Sequence, residues 1–429
     1  MKKTVRTYEA TEMPPAVLCP LDDHMGLDIA RALAPRGIPV YGIDTDKGIP
    51  GRYSNACHFV YCPYSEETRA DDYIRFLVDF GKKLRTKAVL YPLSDRHVLL
   101  FSQHRTILQD YYSYVMPPHK TMERLTTKNG LHSVAQEYSI PAPQTYFVSE
   151  STSIHEIARR VPYPAILKPT ESTYWHSPEI TRLLRKGLLA GRAKVVLCQN
   201  AGELLNAFEQ ISVFNPHLVV QEVIPGEDSR LVYSAFYFDR ASTPLGFFSG
   251  RKYRVVPTGF GSASYVRSFT DPELKELVIR SLSALRYQGL GGLEFKKDPR
   301  DGKYKLIEFN TRFGMWDGFG VRCGVDLPNI SYQDALGRSV ESQLEFRNDL
   351  IWVDWQRDVR ACIAYWKQGQ ITFSQWWRSL KGKKMWAVYS KADWKPGAAL
   401  SFALLRRLAA RIKSLVSAII KPDDRAFKR

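Results

Sequence analysis

The 429-residue sequence predicts an α/β unit followed by an α+β region, with a basic helical extension at the C-terminus. Three observations predict this. Over roughly the first 118 residues, short apolar strands alternate with helix-like runs. Between 218 and 310 the strands alternate apolar and polar residues and are joined by Gly- and Pro-containing turns. From 339 onward the chain holds most of its nine tryptophans and few glycines. The length suits two to four packed units, and 44% apolar with 24% charged residues is the balance of a globular chain.

The first unit opens with a strand at Ala16–Pro20, a loop to Gly26 and a helical run to Ala34. Gly37 closes the run, and a second strand ends at Asp44. This is a β-loop-α-β unit of nucleotide-binding type, but with one glycine where a dinucleotide fingerprint needs three. A further strand, Ala88–Pro92, has Ser94-Asp95 at its carboxyl end, where Asp95 either caps the next helix or serves a site. One helix is expected over Met122–Tyr138, stopped by Pro141 and Pro143, and a strand over Gln144–Val148. Tyr163–Pro169 is an apolar strand that ends in Lys168, a residue that either snorkels to water or meets an anion. Residues 170–193 are polar and read as a loop. Leu218–Glu222 is a strand running into the acidic turn Pro225-Gly-Glu227-Asp228. After it, Arg251, Lys252 and Arg254 form a cationic strand, either a solvated edge or an anion clamp.

Residues 289–316, GLGGLEFKKDPRDGKYKLIEFNTRFGMW, read as a hairpin. Symmetry about Asp301 sets Glu294 directly opposite Glu308, with Asn310 and Arg312 following on the same face. Directly opposed carboxylates repel, so the pair is either solvated or bridged by a divalent cation with oxygen ligands.

Composition narrows the partners. The net charge is +17, which favours anions without choosing among nucleotides, nucleic acid and a membrane surface. No helix-turn-helix, RNA-recognition or zinc signature supports specific nucleic-acid binding. The six cysteines form no C-x-x-C pair and read as reduced thiols in a cytoplasmic protein. No run of about 18 apolar residues predicts a membrane span, and MKKTVRTYEATEMPP lacks the apolar stretch of a signal peptide.

In chain order, LYPLSDRHV, YPAILKP, VVQEVIPGED, GRKYRVVPTGFG, the hairpin with its NTR and GVDLPNISYQDALG together resemble the ATP-grasp carboxylate–amine ligases, in particular the branch of the peptidoglycan D-aspartate ligases. The likeness runs over about 14–395. It implies a Rossmann-like preATP-grasp domain at 14–118 and an ATP-grasp domain at 119–338 with a lid subdomain near 161–222. A Trp-rich region at 339–395 and a basic helix and tail at 396–429 complete the chain. The resemblance implies ATP and Mg²⁺ as cofactors, small-molecule carboxylate and amine substrates, and a homodimer as one assembly. It also implies residue roles. Lys128 and Lys168 would hold phosphates, Gln221, Glu222, Val223 and Ile224 would read the adenine edge, and Glu227 or Asp228 would hold the ribose. Arg251 or Lys252 would meet the γ-phosphate, Glu294, Glu308 and Asn310 would ligate Mg²⁺, and Arg312 would stabilise the transferring phosphoryl group. Where D-alanine ligases carry an arginine two residues before the first metal carboxylate, this chain has Gly292.

The last signal is the tail. In a helix over 400–421, eight Leu, Ile and Val residues fall on one arc of about 160°, opposite Arg406, Arg407, Arg411, Lys413 and Lys421. Such a helix either docks on the body or lies on an anionic membrane surface, with Trp376, Trp377, Trp386 and Trp394 as anchors or core.

Overall fold

The computed structural model describes residues 13–22, 24–148, 153–170 and 195–420. The first unit is a parallel sheet of β1 (Ala16–Cys19), β2 (Val40–Asp44), β3 (His58–Tyr61), β4 (Ala88–Pro92) and β5 (Tyr112–Ser113), in the order β3-β2-β1-β4-β5. Its crossovers carry α1 (Met25–Leu33), α2 (Ala70–Gly81), α3 (Asp95–Gln103) and α4 (Arg105–Leu108). Every residue of β1 is buried, as a central parallel strand covered on both faces requires.

The helix expected over Met122–Tyr138 is two helices, α5 (His119–Thr126) and α6 (Lys128–Glu137). Thr127 breaks the run. It is extended (φ −94°, ψ 146°), and its hydroxyl accepts the Gly130 N–H at 3.2 Å as an N-cap. The apolar spacing continues through the break, so periodicity alone hides it. A side chain on Gly130 would put its Cβ 2.2 Å from the Arg124 carbonyl oxygen, which is why the two helices can pack so closely there.

A four-stranded sheet follows, made of β6 (Thr145–Phe147), β7 (Ala165–Pro169), β8 (Val196–Cys198) and β9 (Leu218–Glu222) in the order β6-β9-β7-β8. Helices α7 (Ile154–Arg160) and α8 (Ala201–Ser212) cover one face, packing Ile157, Leu204 and Ala207 on Ala165, Leu167 and Val220. Alternation then sends Lys168, Val219 and Gln221 to the opposite face. The loop expected at 170–193 lies, but for Thr170, outside the described residues.

The largest sheet contains β10 (Leu231–Phe238), β11 (Pro244–Val256), β12 (Ser262–Ser268), β13 (Gly289–Lys297), β14 (Tyr304–Asn310), β15 (Ile351–Val353) and β16 (Lys384–Trp386), in the order β14-β13-β10-β11-β12-β15-β16. Helix α9 (Pro272–Ala284) packs Leu274, Val278 and Leu282 on one face, against Val232, Phe236, Leu293 and Phe295. On the other face α10 (Phe319–Cys323) and α11 (Leu327–Ala335) join this sheet to the first. One core runs from Leu18 and Leu27 through Phe319 and Leu327 to Tyr237 and Phe248. The two sheets are thereby fixed to each other by apolar burial.

The Trp-rich stretch supplies β15 and β16 together with α12 (Trp355–Lys367) and α13 (Phe373–Ser379), and α14 (Lys395–Ile420) follows. No helix among the described residues is long and apolar enough to cross a membrane. Arg254 is drawn out of the cationic strand into this layer. Its Nε and Nη2 each donate at 2.8 Å to the fully buried carboxylate of Asp358, which also accepts from Ser264 Oγ and Trp376 Nε1. Asp358→Ala would leave that guanidinium charged and unpaired in the interior. We expect a loss of about 3–5 kcal/mol, read as a lowered urea midpoint.

Candidate active site

The inner face of the four-stranded sheet and the β13–β14 hairpin enclose an open cleft of about 370 Å³. Leu131, Ala135, Ala142, Val219, Leu306 and Ile307 give it apolar walls, and Lys128, His132, Thr145, Lys168 and Gln221 give it polar groups. The break at Thr127 places Lys128 in the first turn of α6, on the cleft. From β7, Lys168 Nζ donates to Gln221 Oε1 on β9 at 2.8 Å, and Gln221 Nε2 donates to Thr145 Oγ1 on β6 at 2.8 Å. Three adjacent strands thus share one polar chain. Gln221 therefore enters the cleft through its side chain, a contribution that the expected backbone role does not include. Burial, reinforced by the charge of Lys128 and opposed by that of Glu308, pushes the Lys168 ammonium down to about 7.

On the hairpin, Gly292 faces Asn310 and Glu294 faces Glu308, as symmetry predicts. Toward the turn the register slips, and Phe295 faces Leu306 instead of Ile307. The bulge leaves Ile307 as the extra residue, free of the pleat and lining the cleft. Glu294 is half-buried, and Lys252 Nζ donates to its Oε2 at 2.5 Å. The hairpin thus carries an opposed pair of carboxylates with a buried ammonium at one end.

The structure separates residues that the sequence left as alternatives. Arg251 and Lys252 are neighbours on β11 and so face opposite ways. Lys252 joins Glu294, whereas Arg251 lies over the Phe269 ring on the far face, its guanidinium carbon 3.8 Å from the centroid. In the acidic turn, Asp228 accepts the Gly259 N–H at 3.0 Å and the Tyr365 hydroxyl. Glu227 is exposed beside it and accepts from Ser229 Oγ. Glu222 is buried at the end of β9, where its carboxylate accepts the Gln144 N–H at 2.9 Å and Arg300 Nη2 at 3.0 Å. The N–H of Val223 donates to the Pro164 carbonyl, and Ile224 is buried next to it. Ser94, not Asp95, caps α3. Asp95 instead accepts Arg312 Nε at 2.8 Å, a link between the first sheet and the hairpin across 217 residues.

Two further residues belong to the site and were not singled out from the sequence. Lys296, two positions from Glu294 and on its face, is buried and donates to the Gly226 carbonyl at 2.8 Å, pinning the acidic turn. The period-two rule that paired the glutamates also points to it. Tyr233 fills the space over Gly292, where a Cβ would lie 1.8 Å from its hydroxyl oxygen. That hydroxyl donates at 3.4 Å to Asp317, whose carboxyl burial pushes up to about 7. An arginine at 292 is sterically excluded while Tyr233 stands there. No residue spacing reveals this, because Tyr233 arrives from another strand.

No protein-family model matches the chain. Among curated proteins, the D-aspartate ligase of Enterococcus faecium (strain Aus0004) is 25% identical over 303 residues, covering 68% of this chain and 69% of that one. Among solved structures, the biotin carboxylase domain of the Hydrogenobacter thermophilus 2-oxoglutarate carboxylase, in complex with MgADP, ADP and bicarbonate, matches with a TM-score of 0.60 at 16% identity. The match covers 80% of this chain and 74% of that one. The chain has the ATP-grasp fold. The L-amino acid ligase from Bacillus licheniformis shares this ATP-grasp architecture with a TM-score of 0.54 at 18% identity, over 76% of this chain and 75% of that one.

The close approach at residue 292 is directly testable. Gly292→Ala should cost about 1–3 kcal/mol in chemical denaturation, and Tyr233→Ala should relieve part of that cost in the double variant. Additive losses would mean that the two residues do not meet.

Proposed function

We propose that this chain is an ATP- and Mg²⁺-dependent carboxylate–amine ligase. One observation carries the reading: two opposed carboxylates, Glu294 and Glu308, stand on the hairpin whose Leu306 and Ile307 wall a cleft onto which Lys128 and Lys168 converge from separate elements. A triphosphate brings about four negative charges and needs several cations around it. Glu294, Glu308 and Asn310 offer hard oxygen donors. Among the described residues no cluster of three His, Cys, Asp or Glu gathers. Magnesium suits such a set, because it is held by one or two carboxylates and completes its shell with phosphate oxygens and water. When bound there, the ion neutralises charge on the transferring phosphoryl group.

In this reading the apolar slot between Leu131, Val219 and Ile307 takes the adenine, with the strand end at 221–224 along its edge. Glu227 takes the ribose hydroxyls, since Asp228 is committed to Gly259 and Tyr365. Lys128 and Lys168 hold phosphates. Lys252, whose ammonium balances Glu294, would meet the γ-phosphate. Arg312, held by Asp95, faces the phosphoryl group in flight. A substrate carboxylate oxygen attacks the γ-phosphorus and the bridging P–O bond breaks, leaving ADP and an acyl phosphate. An amine then attacks the acyl carbon and inorganic phosphate departs, which leaves an amide. Catalysis here is positioning and charge neutralisation, and the protein needs no covalent step of its own.

The names of the Enterococcus and Bacillus relatives both specify amino acids, and we extend an amino-acid substrate to this chain. The test is phosphate release from ATP and Mg²⁺ across a panel of D- and L-amino acids crossed with amine acceptors. One pair should stimulate release, and Glu308→Ala should lower it by at least about 100-fold with an unchanged circular dichroism spectrum. Glu308 is exposed on a surface strand, so alanine is tolerated there. Full turnover in that variant would remove Glu308 from the metal site and the reading with it.

A further inference from the structure

We propose that the C-terminal layer, α12, α13 and the start of α14, is a docking surface for an anionic lipid bilayer. The inference is independent of the ligase reading. Six large apolar side chains on these elements are exposed: Trp366, Phe373, Trp377, Trp394, Phe402 and Leu405 are each 57–66% accessible. Phe373 and Trp377 are one helical turn apart on α13, and both rings touch buried Trp376, with centroids 5.2 and 6.1 Å away. They form a supported aromatic ridge rather than isolated exposed residues. Trp366, at the end of α12, stands beside Lys367.

The charge of the same region is one-sided. Residues 355–420 contain thirteen Lys and Arg but only two acids, Asp358 and Asp393. Both acids are buried and committed to inward arginines: Asp358 accepts Arg254, and Asp393 accepts Arg31 Nε at 3.0 Å. Asp393 also accepts Ser54 Oγ and the Asn55 N–H, so it anchors the start of α14 to the first unit. From that anchor the helix runs 26 residues, about 39 Å, with Phe402, Leu405, Arg406 and Arg407 exposed.

Charge complementarity selects the occupant. A second copy of the chain would bring the same cationic face against itself, which a two-fold contact cannot relieve. Nucleic acid would satisfy the cations but would offer nothing to an exposed Leu405 or to Ile363, which is half exposed on α12. A bilayer with anionic headgroups satisfies both kinds of residue: lysines and arginines at the phosphates, and Trp and Phe at the boundary of headgroup and acyl chain. No helix among the described residues is long and apolar enough to cross the bilayer, and the proposed contact is a peripheral one.

Sedimentation of the full chain with vesicles tests this. Binding is expected to vesicles containing phosphatidylglycerol, not to pure phosphatidylcholine, and to weaken as salt is raised. Arg406→Glu with Arg407→Glu should weaken the partition by about 30-fold or more, and Trp366→Ala with Trp377→Ala by about tenfold. Circular dichroism should be unchanged in both, since all four side chains are exposed. The proposal is overturned if anionic vesicles bind no better than neutral ones, or if neither pair of substitutions weakens binding. It is equally overturned if light scattering shows a dimer that the same substitutions dissociate.

Discussion

The direct opposition of Glu294 and Glu308 is the constraint on which the rest of the site depends. Directly opposed residues have Cβ atoms only about 5 Å apart, so the two like charges repel, and the pairing of the strands keeps their backbones opposed. The register is fixed by Leu293, Phe295 and Phe309, which are buried against α9 and would all turn outward with a one-residue slip. The core therefore holds the two charges together, and the chain surrounds them with cations. Lys252 already sits on Glu294. Burial and the nearby charge of Lys128 both push Lys168 toward its neutral form, and Glu308 opposes them only in part. Carboxylates thus stand on the hairpin and lysines on the elements around it, and a magnesium polyphosphate carries the complement of each.

Rigidity comes from outside the cleft. The apolar core joining the first sheet to the largest one fixes Arg312 relative to Asp95, and the Arg254–Asp358 pair locks β11 to the C-terminal layer. Lys296 and Asp228 tie the acidic turn to β13 and to α12. The four-stranded sheet has its own core under α7 and α8. It faces the hairpin across the cleft as a separately packed layer.

Much of this was legible in the sequence where strict alternation applies. The period of two placed Glu294 opposite Glu308 and Asn310 on the same face. The same rule would have separated Arg251 from Lys252 and found Lys296, had it been applied to β11 and to the rest of β13. Other features are set by contacts between distant elements and leave no local trace. Asp95 looks like a helix cap until Arg312 arrives beside it. Thr127 interrupts an apolar pattern that runs on undisturbed, and only the capping of Gly130 reveals two helices. The bulge at Ile307 is a choice of pairing partner, and both registers satisfy the alternation of each strand taken alone. Tyr233 over Gly292 belongs to the same class, since the reason for the glycine lies on another strand.

The claim that the cleft takes a magnesium nucleotide is most directly tested by isothermal titration of ADP with Mg²⁺ near pH 8, in two buffers of different ionisation enthalpy. Burial and the charge of Lys128 push the Lys168 ammonium down to about 7, which favours its neutral form at that pH. Phosphate beside it raises its pKa, so binding must take up a proton, and affinity must fall as pH rises through 7 toward the bound value. The account predicts Mg²⁺-dependent binding with net proton uptake that is lost in Lys168→Met. Absence of binding, or binding with no proton uptake in the wild-type chain, would contradict it.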